Sequence, residues 1–352
     1  MQPTGKRVMI GIPTRNSIRY LEERIDSIEA QTYSDYEILV VDGGSTDGTL
    51  ERVSAWRDTN PRVNLFPTPI DGLYEAFNLV LEQCESEYVC ILPSDDLMAH
   101  DFLEVMVAAL DHEEHASVAV CPLRVFDLHT SLIESDFTEV GVAHDDSVHS
   151  WPVDGMHGLL RRNPYVSQTQ LMMRYRDVVS HRFHCDLGST ADILFNLQIG
   201  FNLDVVHVTG TWAGWRVHET QASQTVSDQA SKVACLERMI SMAIDQHLEA
   251  TTDSVYRTRF KRIERVCQAM EALRRSSGRT GSISRWVEVL RKGIRSPMVA
   301  LLHVQDHFTQ GMASERYLQA KAEGLRAYRI AQGLSSADLS GQSRPVCAQG
   351  SK

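Results

Sequence analysis

The sequence predicts an α/β fold in which a mostly parallel central sheet is flanked by helices and followed by a helical C-terminal region. Three observations carry this. From Val8 to Leu92, short Val/Ile/Leu-rich runs alternate with segments of helical periodicity. The short runs are apolar on both faces, as strands covered by helices must be. After about residue 224 the pattern changes to long helical periodicities with few strand signals, ending in a Gly/Ser/Gln-rich tail from Gly333.

In chain order, Val8 to Ile12 reads as a first strand. Asn16 or Ser17 then caps a helix whose Leu21, Ile25 and Ile28 share one face. Ile38 to Val41 is a second strand, followed by a helix with Leu50, Val53 and Trp56 inward. Val63 to Phe66 is a third strand, Leu73 to Leu81 a third helix and Tyr88 to Leu92 a fourth strand. The expected organisation is residues 1–223 as the main α/β domain, 224–332 as a helical region and 333–352 as a tail.

The 352 residues, 43% hydrophobic and 23% charged, have globular composition. A net charge of -11 disfavours a general nucleic-acid binder, which needs a basic surface to neutralise phosphates. The balance is uneven: from Arg257 to Arg295, Lys and Arg far outnumber Glu264, Glu271 and Glu288. The seven cysteines are odd in number, scattered and never in C-x-x-C spacing, against both a disulfide framework and a cysteine zinc site, so a reducing cytoplasm is expected. No signal-like segment opens the chain and no window reaches about 18 consecutive apolar residues, so neither secretion nor membrane spanning is expected.

Open parallel sheets bind ligands at the carboxyl ends of their strands, which singles out three loops: P-T-R-N, D-G-G-S-T-D-G-T and P-S-D-D. The second has neither the G-x-G-x-x-G spacing of a dinucleotide site nor a Walker-type G-x-x-x-x-G-K-[ST]. Its aspartates supply acceptors where those folds place glycines.

Read together, I-P-T-R-N, V-V-D-G-G-S-T-D-G-T, D-G-L-Y-E-A-F-N and I-L-P-S-D-D resemble family 2 of the inverting glycosyltransferases, across roughly residues 6 to 223. The resemblance implies a GT-A fold, Rossmann-like with a mostly parallel sheet. It implies that Asp42 accepts a hydrogen bond from a uracil-like base edge, with Pro13, Thr14, Arg15 and Asn16 beside the same nucleotide. An Asx-type turn is the other reading of Asp42, and a turn or helix-cap role is the stronger one for Asp47. Asp71 is either a helix cap or a sugar or ribose contact.

The resemblance further implies that Ser94, Asp95 and Asp96 correspond to the D-x-D motif, with Asp95 matching the second aspartate and Pro93 standing in place of the first. Carboxylates beside a diphosphate require a cation, and Mn²⁺ or Mg²⁺ suits their hard oxygens. Asp192, in S-T-A-D-I-L-F, matches the catalytic base that takes the acceptor hydroxyl proton, with Asp186 as the alternative. Arg216 and His218 match an R-x-H pattern with Ser223 downstream, the imidazole for metal or diphosphate and the guanidinium for phosphate charge. Trp212 and Trp215 form an acceptor platform or a core lid, and His144, His149 and His157 lack ligand spacing and read as surface residues.

The implied activity is transfer of a sugar from a UDP- or dTDP-type donor to a hydroxyl of a glycan or lipid-linked saccharide in cell-envelope polysaccharide synthesis. A silent nucleotide-sugar-binding scaffold is the alternative that Pro93 leaves open. From Ser282 to Leu302, basic residues and Trp286 recur at helical spacing, fitting either a membrane interface or a helix packed on its own domain.

Overall fold

The computed structural model describes residues 5–69, 72–127, 146–151, 154–155, 167–218, 229–252, 254, 257–258 and 260–261. Its first half repeats a strand–helix unit: β1 (Val8–Thr14), α1 (Ile18–Glu29), β2 (Tyr36–Asp42), α2 (Thr49–Thr59), β3 (Val63–Pro67), α3 (Leu73–Gln83) and β4 (Tyr88–Ile91). The second half is more broken. It comprises β5 (Leu97–Met98), α4 (Phe102–His112), β6 (Val118–Val120), β7 (Leu123–Asp127), β8 (Ser147–His149), β9 (Leu171–Arg174), α5 (Tyr175–Val178), α6 (Ala191–Asn202), β10 (Val205–His207), β11 (Ala213–Val217) and α7 (Gln229–Ala250). Helix α4 begins at Phe102, and three residues separate it from the end of the short strand β5.

An eight-stranded sheet runs β3-β2-β1-β4-β9-β6-β10-β8. Its β1, β2, β3 and β4 are parallel neighbours, as are β6 and β10, whereas β9 and β8 run against their neighbours. This is the mixed, mostly parallel sheet expected of GT-A. Alternation along β1 feeds two cores: Val8, Ile10 and Ile12 pack with α1, α2 and α4, while Met9 packs with α3 and α6 on the other face. Gly11 faces α3 as well, and a Cβ there would lie 2.2 Å from a Val80 methyl, so this position has room only for glycine. In α2 the buried residues are Thr49, Val53 and Trp56, with Leu50 only half-buried.

Helix α7 supplies Met239, Ala243, Ile244 and Leu248 to the same core as α6. The part of α7 from Met239 to Leu248 is therefore packed on the sheet domain. Among the described residues no helix is long and apolar enough to cross a membrane. Asp71, Ser223, the basic segment at 282–302 and the tail from 333 lie outside the described residues.

Candidate active site

Parallel register aligns the ends of β1 and β2, pairing Thr14 with Asp42, and Leu92 beyond β4 donates its N–H to Gly11. The three polar loops therefore open on one edge of the sheet, and short hydrogen bonds lock them together. Asn16, with φ of 53°, donates its N–H to Ser45 Oγ at 2.9 Å and accepts from Thr46 N–H through Oδ1 at 2.8 Å. Asp47 receives Ile18 N–H at 3.1 Å and both donors of Thr49, which ties the starts of α1 and α2 to one carboxylate. Those bonds offset burial and hold its carboxyl below the ordinary value. Ser94 Oγ donates to Ser17 Oγ at 2.8 Å, joining the third loop to the first.

Asp42 is fully buried at the end of β2. Its Oδ1 accepts from Gly44 and Ser45 N–H at 3.0 and 2.9 Å, and its Oδ2 from Ser45 Oγ at 2.6 Å. The carboxylate thus orders the loop from within. Beside it Thr14 is buried and its hydroxyl has no hydrogen-bond partner. Pro13 is buried and Arg15 exposed.

At the end of β4, Asp95 and Asp96 point to different surroundings. Asp95 Oδ2 lies 2.9 Å from His218 Nε2, and the imidazole rests on the Tyr20 ring with centroids 4.8 Å apart. Asp96 turns into the protein, where it is 3% exposed and accepts from Thr169 Oγ1 at 2.6 Å and from Arg216 N–H at 3.0 Å. Burial and the neighbouring Asp95 charge raise its carboxyl to about 7. The sequence reading set Asp96 beside the donor, whereas its oxygens face the interior because β11 closes over it.

Arg216, expected near phosphate, is a buried brace. Its Nε donates to the Asp95 carbonyl at 3.0 Å and its Nη2 to Glu23 at 2.5 Å, beneath the Asp95–His218 pair. Below both aspartates lies Arg24, fully buried on α1, with none of its three guanidinium nitrogens hydrogen-bonded. Burial lowers its pKa to about 10 against the nearby Asp96 charge.

Asp192 stands in the first turn of α6, where the helix dipole favours a carboxylate. Its side chain is half-buried and burial raises its pKa to about 6, opposed by hydrogen bonds from Ile193 N–H and the Tyr74 hydroxyl. Tyr74 lies in the first turn of α3, which begins beyond the carboxyl end of β3, so its contact brings Asp192 to the edge that carries Asp42. Asp186 is exposed and lies 4.0 Å from Arg238 on α7.

Several residues escaped the sequence reading. Tyr74 reads as core, and it does stack on Phe183 at 5.7 Å, but its hydroxyl reaches Asp192. Gln168 donates to Asn196 on α6 at 2.7 Å while its buried carbonyl has no partner. Trp215 packs on the core and Arg124 stacks over Trp212 at 4.3 Å. His149 is not a simple surface residue: it is half-buried against Asp154 and His207, and the second of these lies 58 positions further on.

Residues 9–175 match the family described as glycosyl transferase family 2. The chain carries a glycosyl transferase family 2 domain. An uncharacterized glycosyltransferase of Haemophilus influenzae is 34% identical over 121 residues, 33% of this chain and 48% of that protein. The TarS poly(ribitol-phosphate) beta-N-acetylglucosaminyltransferase of Staphylococcus aureus is 33% identical over 116 residues, 32% of this chain and 20% of that protein. The chain thus spans about half or less of the length of these curated relatives. The crystal structure of S. aureus TarS 1–349 in complex with UDP-GlcNAc superposes with a TM-score of 0.60 at 18% identity, covering 81% of this chain and 79% of that one. At that identity the match establishes the shared fold of the family 2 domain.

Proposed function

We propose that this family 2 domain transfers a sugar, with inversion, from a UDP- or dTDP-type nucleotide sugar to a hydroxyl of a glycan or lipid-linked saccharide in polysaccharide synthesis. The observation that carries the reading is the meeting of Asp95 with His218 at the carboxyl end of β4. A carboxylate oxygen and an imidazole nitrogen converging beside a strand end fit Mn²⁺ or Mg²⁺, with further coordination left to a diphosphate. A cation held there supplies charge neutralisation for the departing diphosphate. Thr14, with its buried and unpartnered hydroxyl, supports a nucleotide lodged between the first two loops, over a floor ordered by Asp42.

Asp192 takes the acceptor proton in this reading. A carboxyl raised to about 6 is a stronger base than an ordinary aspartate and still ionised at neutral pH. That tuning favours turnover over the silent scaffold. The basic segment at 282–302 belongs to the proposal as a peripheral contact with anionic lipid on the cytoplasmic side, tested by salt-sensitive sedimentation with vesicles.

The deciding experiment screens nucleotides and nucleotide sugars by thermal shift, with and without Mn²⁺, followed by donor hydrolysis. Stabilisation by one nucleotide class together with Mn²⁺-dependent release of nucleoside diphosphate supports the transferase. Stabilisation with an intact donor points to the scaffold.

A further inference from the structure

A second cluster lies at the far edge of the large sheet, where β10 and β8 are the last two strands and the loops described above follow β1, β2 and β4. In the antiparallel register His207 pairs with Ser147 and Val205 with His149, which places both imidazoles on one face as diagonal neighbours. Asp154 rises between them. Its Oδ1 lies 2.7 Å from His149 Nδ1 and its Oδ2 lies 2.9 Å from His207 Nε2. Its place is set by Gly155, where a Cβ would stand 2.3 Å from the Phe201 ring.

Burial separates this trio from a surface cluster. Asp154 and His207 have side chains 1% and 0% exposed, and His149 at 21% leaves a route in from solvent. One ligand atom from each residue lies within 4.8 Å of the other two. His207 Nδ1 is buried with no hydrogen-bond partner. A single hydrogen bond to Asp154 does little to offset that burial, because its net contribution is modest, whereas coordination of a cation contributes far more.

We propose that His149, Asp154 and His207 form a zinc site that pins β8 and the turn after it to β10. Two imidazoles and a carboxylate are a borderline donor set suited to Zn²⁺, with the fourth position open toward solvent. Ligand atoms around a tetrahedral zinc stand roughly 3.3 Å apart, so the two short contacts open by about half an ångström while the longest separation, within 4.8 Å, closes. The site is independent of the sugar-transfer reading, since it shares no residue with Asp95 and His218.

The full chain, stripped with a chelator and dialysed against trace Zn²⁺, tests this by metal analysis and by Co²⁺ titration, whose visible d–d absorption reports tetrahedral ligation. Wild type and Asp95→Asn should each retain an equivalent of Zn²⁺ and gain thermal stability from it. His149→Gln, at the partly exposed ligand, should weaken binding by on the order of a hundredfold and lose the Co²⁺ spectrum. Wild type that retains no Zn²⁺ overturns the proposal without any variant, as does His149→Gln binding like wild type.

Discussion

His218 Nε2 and the Asp95 carboxylate meet at 2.9 Å, and the pairing of β5 with β11 brings them together. Antiparallel register sets Gly214 against Leu97, so the residues after β11 pass over the loop that follows β4. Arg216 fixes the crossing through the Asp95 carbonyl and the Asp96 carboxylate. A loop following β4 thereby meets a residue that lies 123 positions further along the chain.

This pair yields the first prediction. Asp95→Ala should abolish the Mn²⁺-dependent part of donor binding, and His218→Ala should weaken it about ten- to a hundredfold, the roughly 1.5–3 kcal/mol of a charge-assisted contact. Calorimetric titration of nucleoside diphosphate with and without Mn²⁺ measures both. Equal Mn²⁺ dependence in wild type and Asp95→Ala would place the metal elsewhere.

Asp42 orders its loop whether or not it reads a base, so Asp42→Ala alone does not separate the two roles. It should lower both folding stability and nucleotide affinity, each by roughly 1.5–3 kcal/mol. Asp42→Asn separates them. The amide oxygen can still accept from Gly44 and Ser45 N–H, and the Ser45 hydroxyl can reverse to accept, which restores most of the stability. Affinity for free nucleoside diphosphate should stay low, since one acceptor has become a donor. Full recovery of affinity in the Asn variant would make Asp42 a turn residue only.

Arg24 places an unpartnered guanidinium in the core under Asp96. Arg24→Met keeps the volume and removes the desolvated charge, an exchange that is typically neutral to a few kcal/mol stabilising. Asp96, already held near 7, then keeps its proton to higher pH. The variant should therefore melt above wild type at pH 6, with the advantage shrinking by pH 8, where wild-type Asp96 ionises and gains from Arg24. A variant less stable at pH 6 would show that the guanidinium is satisfied in solution, for example by buried water.

What the sequence made legible follows strand length and partner distance. β1 and β2 are seven-residue strands whose two-faced apolar runs announce a covered parallel sheet. β6, β8 and β10 have three residues each, too few for a period, and β5 has two. Arg24 sits on the same helical face as Leu21, Ile25 and Ile28, where periodicity gives no hint of a buried charge. Tyr74 was legible as core but not as a hydroxyl donor, because the carboxylate it meets lies 118 positions further on. The match of Asp95 and His218 to a family pattern was readable from motif order, but the distance between them depends on β11, which periodicity did not reveal.

The last prediction concerns Asp192 and its pH dependence. Burial raises its carboxyl from an ordinary 3.8 to about 6, and the Tyr74 hydroxyl pulls the other way by donating to the carboxylate. If Asp192 is the base, kcat/KM should fall as pH drops through about 6, and Tyr74→Phe should move that limb to higher pH by removing the donor. Asp192→Asn should lose about 10²- to 10⁴-fold in transfer while donor affinity stays near wild type. Stability carries the opposite sign. A carboxyl whose folded pKa lies above its unfolded value stabilises the fold below about pH 4, and that contribution is lost as pH rises through about 6. Asp192→Asn, which never ionises, should therefore melt above wild type at pH 7.5 and approach it near pH 4, while remaining inactive throughout. A variant that is less stable at pH 7.5, or an acid limb unmoved by Tyr74→Phe, would separate Asp192 from the proton transfer and return attention to Asp186.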